Sequence, residues 1–209
     1  MVDGIPGHIQ CVVFDFADTL CSGHYFTPLG EAHEKAISKL IFGENSSQWA
    51  DLWMVGKVTA KEIATYLAGH LPLSASAILA GLHEGCRSLR FNPAVWELAL
   101  DQHHRGRKTA LVTGNMEVFK EIVVPIHRLD QVFDTIVNSS DYGEGRKDVL
   151  WPMAFAQLGP GYTYANSLLI EDSMGNVERF RALGGVAHHD TSDRELLRWL
   201  SAQQSGTSR

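Results

Sequence analysis

Four short stretches of the chain place together residue types that can handle a phosphate. The first is Asp15-Phe16-Ala17-Asp18-Thr19-Leu20, where Asp15 ends the apolar run Gln10–Phe14. A carboxylate delivered at the end of a strand can serve as a nucleophile or as a ligand to a cation. The second is Thr113-Gly114-Asn115, directly after Ala110-Leu111-Val112. A hydroxyl followed by a helix N-terminus is an arrangement that binds phosphate, because free N–H groups and the helix dipole both favour an anion. The third is Lys147, in Gly-Glu-Gly-Arg-Lys-Asp before a helix, where an ammonium can neutralise a phosphate or a carboxylate. The fourth is Glu171-Asp172-Ser173, after Leu168-Leu169-Ile170. Adjacent acids at a strand end suit a hard, oxygen-preferring cation such as magnesium. Each alone has an ordinary explanation: a cap for Asp15 or Thr113, a surface lysine, a polar loop pair.

The elements that must position these residues follow from hydrophobic periodicity. Gln10–Phe14 reads as a buried strand. From about 21 to 91 no convincing strand occurs. Leu29–Phe42, Ser47–Val55, Thr59–Leu71 and Ser74–Leu89 read as helices separated by Gly and Pro, which makes this stretch an all-helical insertion. Alternation resumes with a helix over Pro93–Arg105, a strand over Lys108–Val112 and a helix over Met116–Val124. A strand over Thr135–Asn138 and a helix over Val149–Leu158 come next. A strand over Ser167–Ile170, a helix over Val177–Leu183, a strand over Gly185–His188 and a helix over Arg194–Ala202 complete it. The polar end, 203–209, reads as frayed. Strand–helix alternation with short loops implies an α/β fold, a parallel sheet covered on both faces. Ligands of such sheets bind beyond the carboxyl ends of the strands, where all four stretches fall. The expected division is a core of residues 1–20 and 92–209 with a helical cap over 21–91.

Composition removes several function classes. The net charge of −6 has the wrong sign for a nucleic-acid or anionic-membrane partner. No apolar run approaches the roughly 18 residues of a membrane helix, and the first residues lack a basic start and apolar h-region. The three cysteines, Cys11, Cys21 and Cys86, are odd in number and form no CxxC pair, so a reduced, cytoplasmic chain is expected. His188-His189 lacks cysteine partners for a metal site. His103-His104-Arg105-Gly106 reads as cations at a helix C-terminus with a glycine stop. Trp49, Trp53 and Trp96 fall at helical positions suited to packing.

In this order the four stretches resemble the haloacid dehalogenase (HAD) superfamily, whose pattern is Asp-x-Asp-x-Thr, then Ser or Thr, then Lys, then an acidic pair, on a Rossmann-like core. The likeness extends to Val132-Phe133-Asp134 before a strand and to Asn176-Val177 after the acidic pair. The insertion is similar to the helical cap of the subgroup of small-molecule phosphatases, phosphoglucomutases, dehalogenases and phosphonatases. The resemblance implies a magnesium-dependent hydrolase acting on a small phosphorylated molecule, as a monomer or homodimer. It implies Asp15 as the nucleophile that becomes an aspartyl phosphate. Thr113, with Gly114 and Asn115, would bind the phosphoryl oxygens, and Lys147 would neutralise charge. Asp15, the carbonyl of Ala17, Glu171 and Asp172 would hold the magnesium.

The chain departs from the pattern at one place. Phosphatases of the superfamily carry a second Asp two positions after the nucleophile, which protonates the leaving oxygen. Here that position is Ala17, which has no proton to give. Asp18 occupies the next position, which should point elsewhere on the loop. Three readings follow: a phosphatase with an acid from the substrate or the cap, a relative of phosphonoacetaldehyde hydrolase with a Schiff-base cap lysine, or a binding protein of weak activity. Lys35, Lys39, Lys57 and Lys61 are the available cap lysines, and Lys57 also fits an ordinary solvated turn. A dehalogenase fits less well, because that branch usually lacks the acidic pair.

Overall fold

In a computed structural model, which describes residues 4–43 and 47–206, the chain begins with strand β1 (Cys11–Phe14). The insertion contributes α1 (Glu31–Phe42), α2 (Ser47–Met54), α3 (Ala60–Ala68) and α4 (Ala75–Arg87). Then come α5 (Pro93–His104), β2 (Lys108–Thr113), a π turn over Phe119–Val123 running into α6 (Val124–His127), and β3 (Thr135–Asn138). The remainder is α7 (Ser139–Tyr142), α8 (Lys147–Leu158), β4 (Ser167–Glu171), α9 (Met174–Ala182), β5 (Val186–His189) and α10 (Asp193–Gly206).

The five strands form one parallel sheet in the order β3-β2-β1-β4-β5. The chain leaves β1 to one side first and later crosses to the other, so β1 sits at the topological switch point where α/β sheets bind ligands. Side chains alternate between faces with period two. Val12, Phe14, Leu111, Leu168 and Ile170 face a cluster that also takes Val95 and Leu98 of α5, Leu196 and Leu200 of α10, and the apolar faces of the insertion helices. Cys11, Val13, Ala110, Val112 and Leu169 face a second cluster with Leu150, Trp151 and Phe155 of α8 and Val177 and Phe180 of α9. Each large side chain buried this way contributes about 1.5–3 kcal/mol. The insertion thus shares one continuous apolar cluster with the sheet. At its base, Ser22 N–H donates to the Arg90 carbonyl (3.2 Å) and Asn92 N–H to that of Leu20 (2.9 Å), joining the two connecting segments.

Several element ends differ from the sequence reading. Thr59 and Ser74 are N-caps rather than first helical residues; Thr59 and Glu62 close a capping box, and Ser74 Oγ accepts from Ala77 N–H. Lys147, expected just ahead of a helix, opens α8. The expected helix over Met116–Val124 contains the π turn, closed by Val124 N–H on the Phe119 carbonyl, and runs on to His127. Pro125 accounts for this: it has no N–H, and its ring would strike the carbonyl four residues earlier in a regular α-helix. The end expected to fray continues α10 to Gly206, because Leu196 and Leu200 bury one face of that helix. Residues 207–209 of that end lie outside the described residues. Cys11, Cys21 and Cys86 are free thiols, all buried. No helix among the described residues is long and apolar enough to cross a membrane.

Candidate active site

The register explains how residues distant in sequence meet. Phe14 pairs with Leu111 on one side and Ile170 on the other. Asp15 and Glu171 are each one residue beyond those pairs, and Thr113 is two beyond. The alternation of β1 and β4 puts Asp15 and Glu171 on the face covered by α8, and Lys147 opens that helix. Thr113 and Asp172 fall on the other face.

The Lys147 ammonium lies 2.5 Å from Asp15 Oδ1 and 2.9 Å from Glu171 Oε2. Carboxylate oxygens of Asp15, Glu171 and Asp172 all lie within 4.8 Å of one another. The loop after β1 is tied to this cluster. Thr19 Oγ1 donates to Asp172 Oδ1 (3.3 Å) and accepts from Asp172 N–H (3.0 Å), while Asn92 Nδ2 holds the Thr19 carbonyl. Ser173 N–H donates to Glu171 Oε1 (3.1 Å).

Charge in this cluster is unbalanced. Burial raises the Asp15 carboxyl above its ordinary range, and Lys147 only partly opposes it. Burial and then the charge of Asp15 raise Glu171. Burial and then Glu171 raise Asp172. Burial works to lower the Lys147 ammonium, but Asp15 and Glu171 outweigh it, so the lysine holds its proton above the usual value. Three carboxylates against one ammonium leave negative charge in excess, which a divalent cation would offset. The carbonyl of Ala17 faces no hydrogen-bond donor among the described residues, since the turn uses those of Phe16 and Cys21 instead. The donor set is therefore all oxygen and fits magnesium.

Thr113 is fully buried, and its Oγ1 has no hydrogen-bond partner. A buried hydroxyl without a partner costs free energy, so the position suits a ligand oxygen. A Cβ built on Gly114 meets nothing within 4 Å, so the space beside this turn is open. Asn115 is differently occupied. Its N–H donates to Ser139 Oγ (2.8 Å), and its Oδ1 accepts from the Tyr25 phenol (3.0 Å) and from Met116 N–H (3.3 Å). Its main-chain N–H is thus spent within the protein.

Residues with no assigned part in the sequence reading also meet here. Ser139, at the end of β3, donates from Oγ to the Met54 carbonyl and so links the Thr113 loop to α2. Glu117 accepts from the Trp53 indole (2.8 Å) and from Ala60 N–H, holding α2 and α3 against the same loop. Ser139 could have been found by the strand-end rule. Tyr25 could not, since it lies in an aperiodic connection. A cavity of about 580 Å³ opens between the β1 loop and the insertion, with Ala17, Asp18, Tyr25, Phe26, Ile37 and Met116 among its walls. Lys57 is exposed and does not line it; Lys35 does.

The architecture has counterparts among solved structures. A protein described as a predicted HAD-like family hydrolase from Porphyromonas gingivalis superposes with a TM-score of 0.67 at 16% identity, over 97% of this chain and 100% of its own. A HAD family enzyme from Bacteroides thetaiotaomicron, solved in complex with magnesium and inorganic phosphate, gives 0.63 at 15% identity, over 88% of this chain and 95% of its own. The L-2-haloacid dehalogenase from Xanthobacter autotrophicus gives 0.60 at 16% identity, over 86% and 76%. No protein-family model and no curated protein sequence matches the chain. The chain has the HAD-like fold, a Rossmann-type parallel sheet with a helical insertion.

Proposed function

We propose that the chain is a magnesium-dependent hydrolase that removes the phosphoryl group of a small phosphorylated molecule through an aspartyl phosphate at Asp15. The observation that carries this is the meeting of Asp15, Glu171 and Asp172 at the switch point of the sheet, with Lys147 bridging the first two. The magnesium-phosphate complex of the similarly folded Bacteroides enzyme supports the choice of ligands.

In this reading Asp15, the Ala17 carbonyl, Glu171 and Asp172 hold the cation. When bound, magnesium neutralises charge on the phosphoryl oxygens and on the three carboxylates. Thr113 Oγ1 takes a phosphoryl oxygen, with Gly114 leaving space for the group. Asn115 contributes by holding the loop, because its N–H is given to Ser139 Oγ and not to the phosphate. Lys147 fixes the Asp15 carboxylate and offsets the negative charge that gathers as an anionic nucleophile meets an anionic phosphate. Catalysis of this kind is positioning and charge stabilisation. Asp15 attacks phosphorus, the ester bond breaks, and water then hydrolyses the aspartyl phosphate. The leaving oxygen needs a proton that Ala17 does not carry, so the donor is non-standard. The segment 21–91 acts as the cap that closes the cavity over substrate.

A phosphonatase-like reaction through a cap lysine is the second reading, because Lys35 and Ala17 line the same cavity. The Lys35 side chain is 75% exposed and paired with Glu31. A Schiff-base lysine is activated by desolvation, so the phosphatase reading is preferred.

The test uses beryllium fluoride or orthovanadate with magnesium. Either should raise the unfolding midpoint of the wild type, because a ligand bound only to the folded state stabilises it. Asp15→Asn should lose that shift and all turnover in a screen of phosphate esters, acyl phosphates and phosphonates. A full shift in Asp15→Asn would mean a generic anion site.

A further inference from the structure

The groups around the cavity can be compared for a proton to replace the one missing at Ala17. Asp18 is exposed, on a backbone in the left-handed region (φ 57°). Glu31 and Lys35 pair with each other at the exposed rim. Glu34 accepts from Thr27 Oγ1 (3.3 Å), and His24 is exposed. Tyr25 is different. It is among the residues that line the cavity, as are Ala17 and Met116, and its hydroxyl donates to Asn115 Oδ1 (3.0 Å) on the loop that carries Thr113.

Tyr25 is also held in place. A Cβ on Gly85 would fall 1.7 Å from the Tyr25 carbonyl oxygen, and one on Gly81, a turn earlier, 2.3 Å from Leu29 Cδ2. Glycine at both positions bares the face of α4 on which the segment from Tyr25 to Leu29 rests.

We propose that the Tyr25 phenol gives the leaving oxygen the proton that Ala17 cannot supply, an inference that rests on the aspartyl-phosphate reading. In the first half-reaction an Asp15 oxygen bonds to phosphorus. The ester P–O bond breaks with its electron pair going to the leaving oxygen, and that oxygen takes the Tyr25 proton. The product is an alcohol, an aspartyl phosphate and a phenolate. In the second half-reaction the phenolate takes a proton from water as that water attacks phosphorus. Inorganic phosphate departs, and Asp15 and Tyr25 return to their starting states.

The environment suits this role for poor leaving groups. Burial, then the negative charge of Cys86 in its ionised form, and further on that of Asp15, push the phenol well above its ordinary value, against the opposing effect of the hydrogen bond it makes with Asn115 Oδ1. The phenol therefore stays protonated at neutral pH. An alkoxide is a stronger base still, so it can take the proton. An acyl phosphate or nitrophenyl phosphate has a stable leaving group and gains little from the transfer.

The experiment compares turnover of a simple alkyl phosphate, acetyl phosphate and p-nitrophenyl phosphate, with magnesium, in wild type, Tyr25→Phe, Asp15→Asn and the double variant Tyr25→Phe/Ala17→Asp. Tyr25→Phe should lower kcat on the alkyl phosphate by about 10²-fold or more and should lower acetyl phosphate turnover by a much smaller factor. Ala17→Asp in that background should restore alkyl turnover. Equal losses on all three substrates would assign Tyr25 a positioning role through Asn115 and overturn the proposal. No loss on any substrate, or no alkyl turnover in the wild type, would overturn it as well. Acetyl phosphate turnover surviving in Asp15→Asn would instead sink the aspartyl-phosphate reading itself.

Discussion

Two groups of buried titratable side chains lie at the carboxyl edge of the same sheet, and they treat charge in opposite ways. At β1 and β4, Lys147 stands between Asp15 and Glu171 and keeps its proton. At the end of β5, His188 Nε2 and Asp190 Oδ1 are 3.8 Å apart with no hydrogen-bond partner for either atom. Burial, then the positive charges of His189 and Arg181, lower His188 to about 4. Burial, then the negative charges of Asp193 and Asp172, raise Asp190 to about 6. Without a strong cation at contact distance, burial wins and both groups move toward their neutral forms. With Lys147 at contact distance, ion pairing holds a charged lysine inside the protein. The site around Asp15 still carries more negative than positive groups, and that shortfall separates a place ready for a cation from a merely buried pair.

The largest expected effect comes from breaking the compensated cluster. Lys147→Met leaves Asp15 and Glu171 buried without a cation, and it should destabilise the metal-free protein by about 3–5 kcal/mol. Urea unfolding measures this, and added magnesium should return part of the loss. Unchanged stability would mean that Lys147 compensates nothing, and the contrast with β5 would disappear.

Next in size is the loss of cation binding in Glu171→Ala/Asp172→Ala. At a magnesium concentration of about 100 Kd, binding to the folded state alone adds about 2.7 kcal/mol to the wild type. The double variant should show no such gain by calorimetry or thermal unfolding. An undiminished magnesium response would place the cation elsewhere.

The smallest effect sharpens the β5 side. A histidine whose folded pKa is depressed from 6.5 to about 4 loses stability as pH falls through that window, about 2.5 kcal/mol between pH 6.5 and 4. Asp190, raised from 3.8 to about 6, contributes stability in the opposite direction as pH falls from 6. The two slopes oppose each other in the wild type. Replacing the histidine, as in His188→Gln, should unmask the Asp190 slope, so that the variant gains stability relative to wild type as pH is lowered from 6.5 to 4. Parallel stability curves for the two proteins over that range would show that His188 titrates normally.

Much of the arrangement was legible in the residues because strand ends announce themselves. The apolar runs ending at Asp15, Thr113 and Glu171 could be read as strands, and each became a neighbour in the sheet. Asp134 shows the same logic at the opposite edge, where its Oδ2 accepts from Thr109 N–H (2.9 Å) and pins β3 to β2. The π turn was hidden because periodicity over Met116–Val124 reports only which face is apolar, whereas the widened turn answers to Pro125. Tyr25 was hidden for another reason. Its connection has no periodicity, and its place depends on bare glycines sixty residues away in α4.

The sequence by itself determined the alternation of strands and helices, the all-helical character of the insertion and the chemistry offered at each strand end. These follow from side-chain type and from spacings of a few residues, which are local properties of a chain. Only the tertiary structure decided that three carboxylates crowd within 4.8 Å, that the Asn115 N–H is consumed by Ser139 and that the Tyr25 hydroxyl reaches the Thr113 loop. Each of these joins positions far apart in the chain, and such meetings are set by strand order and packing, where the burial of large apolar surfaces outweighs any single polar contact.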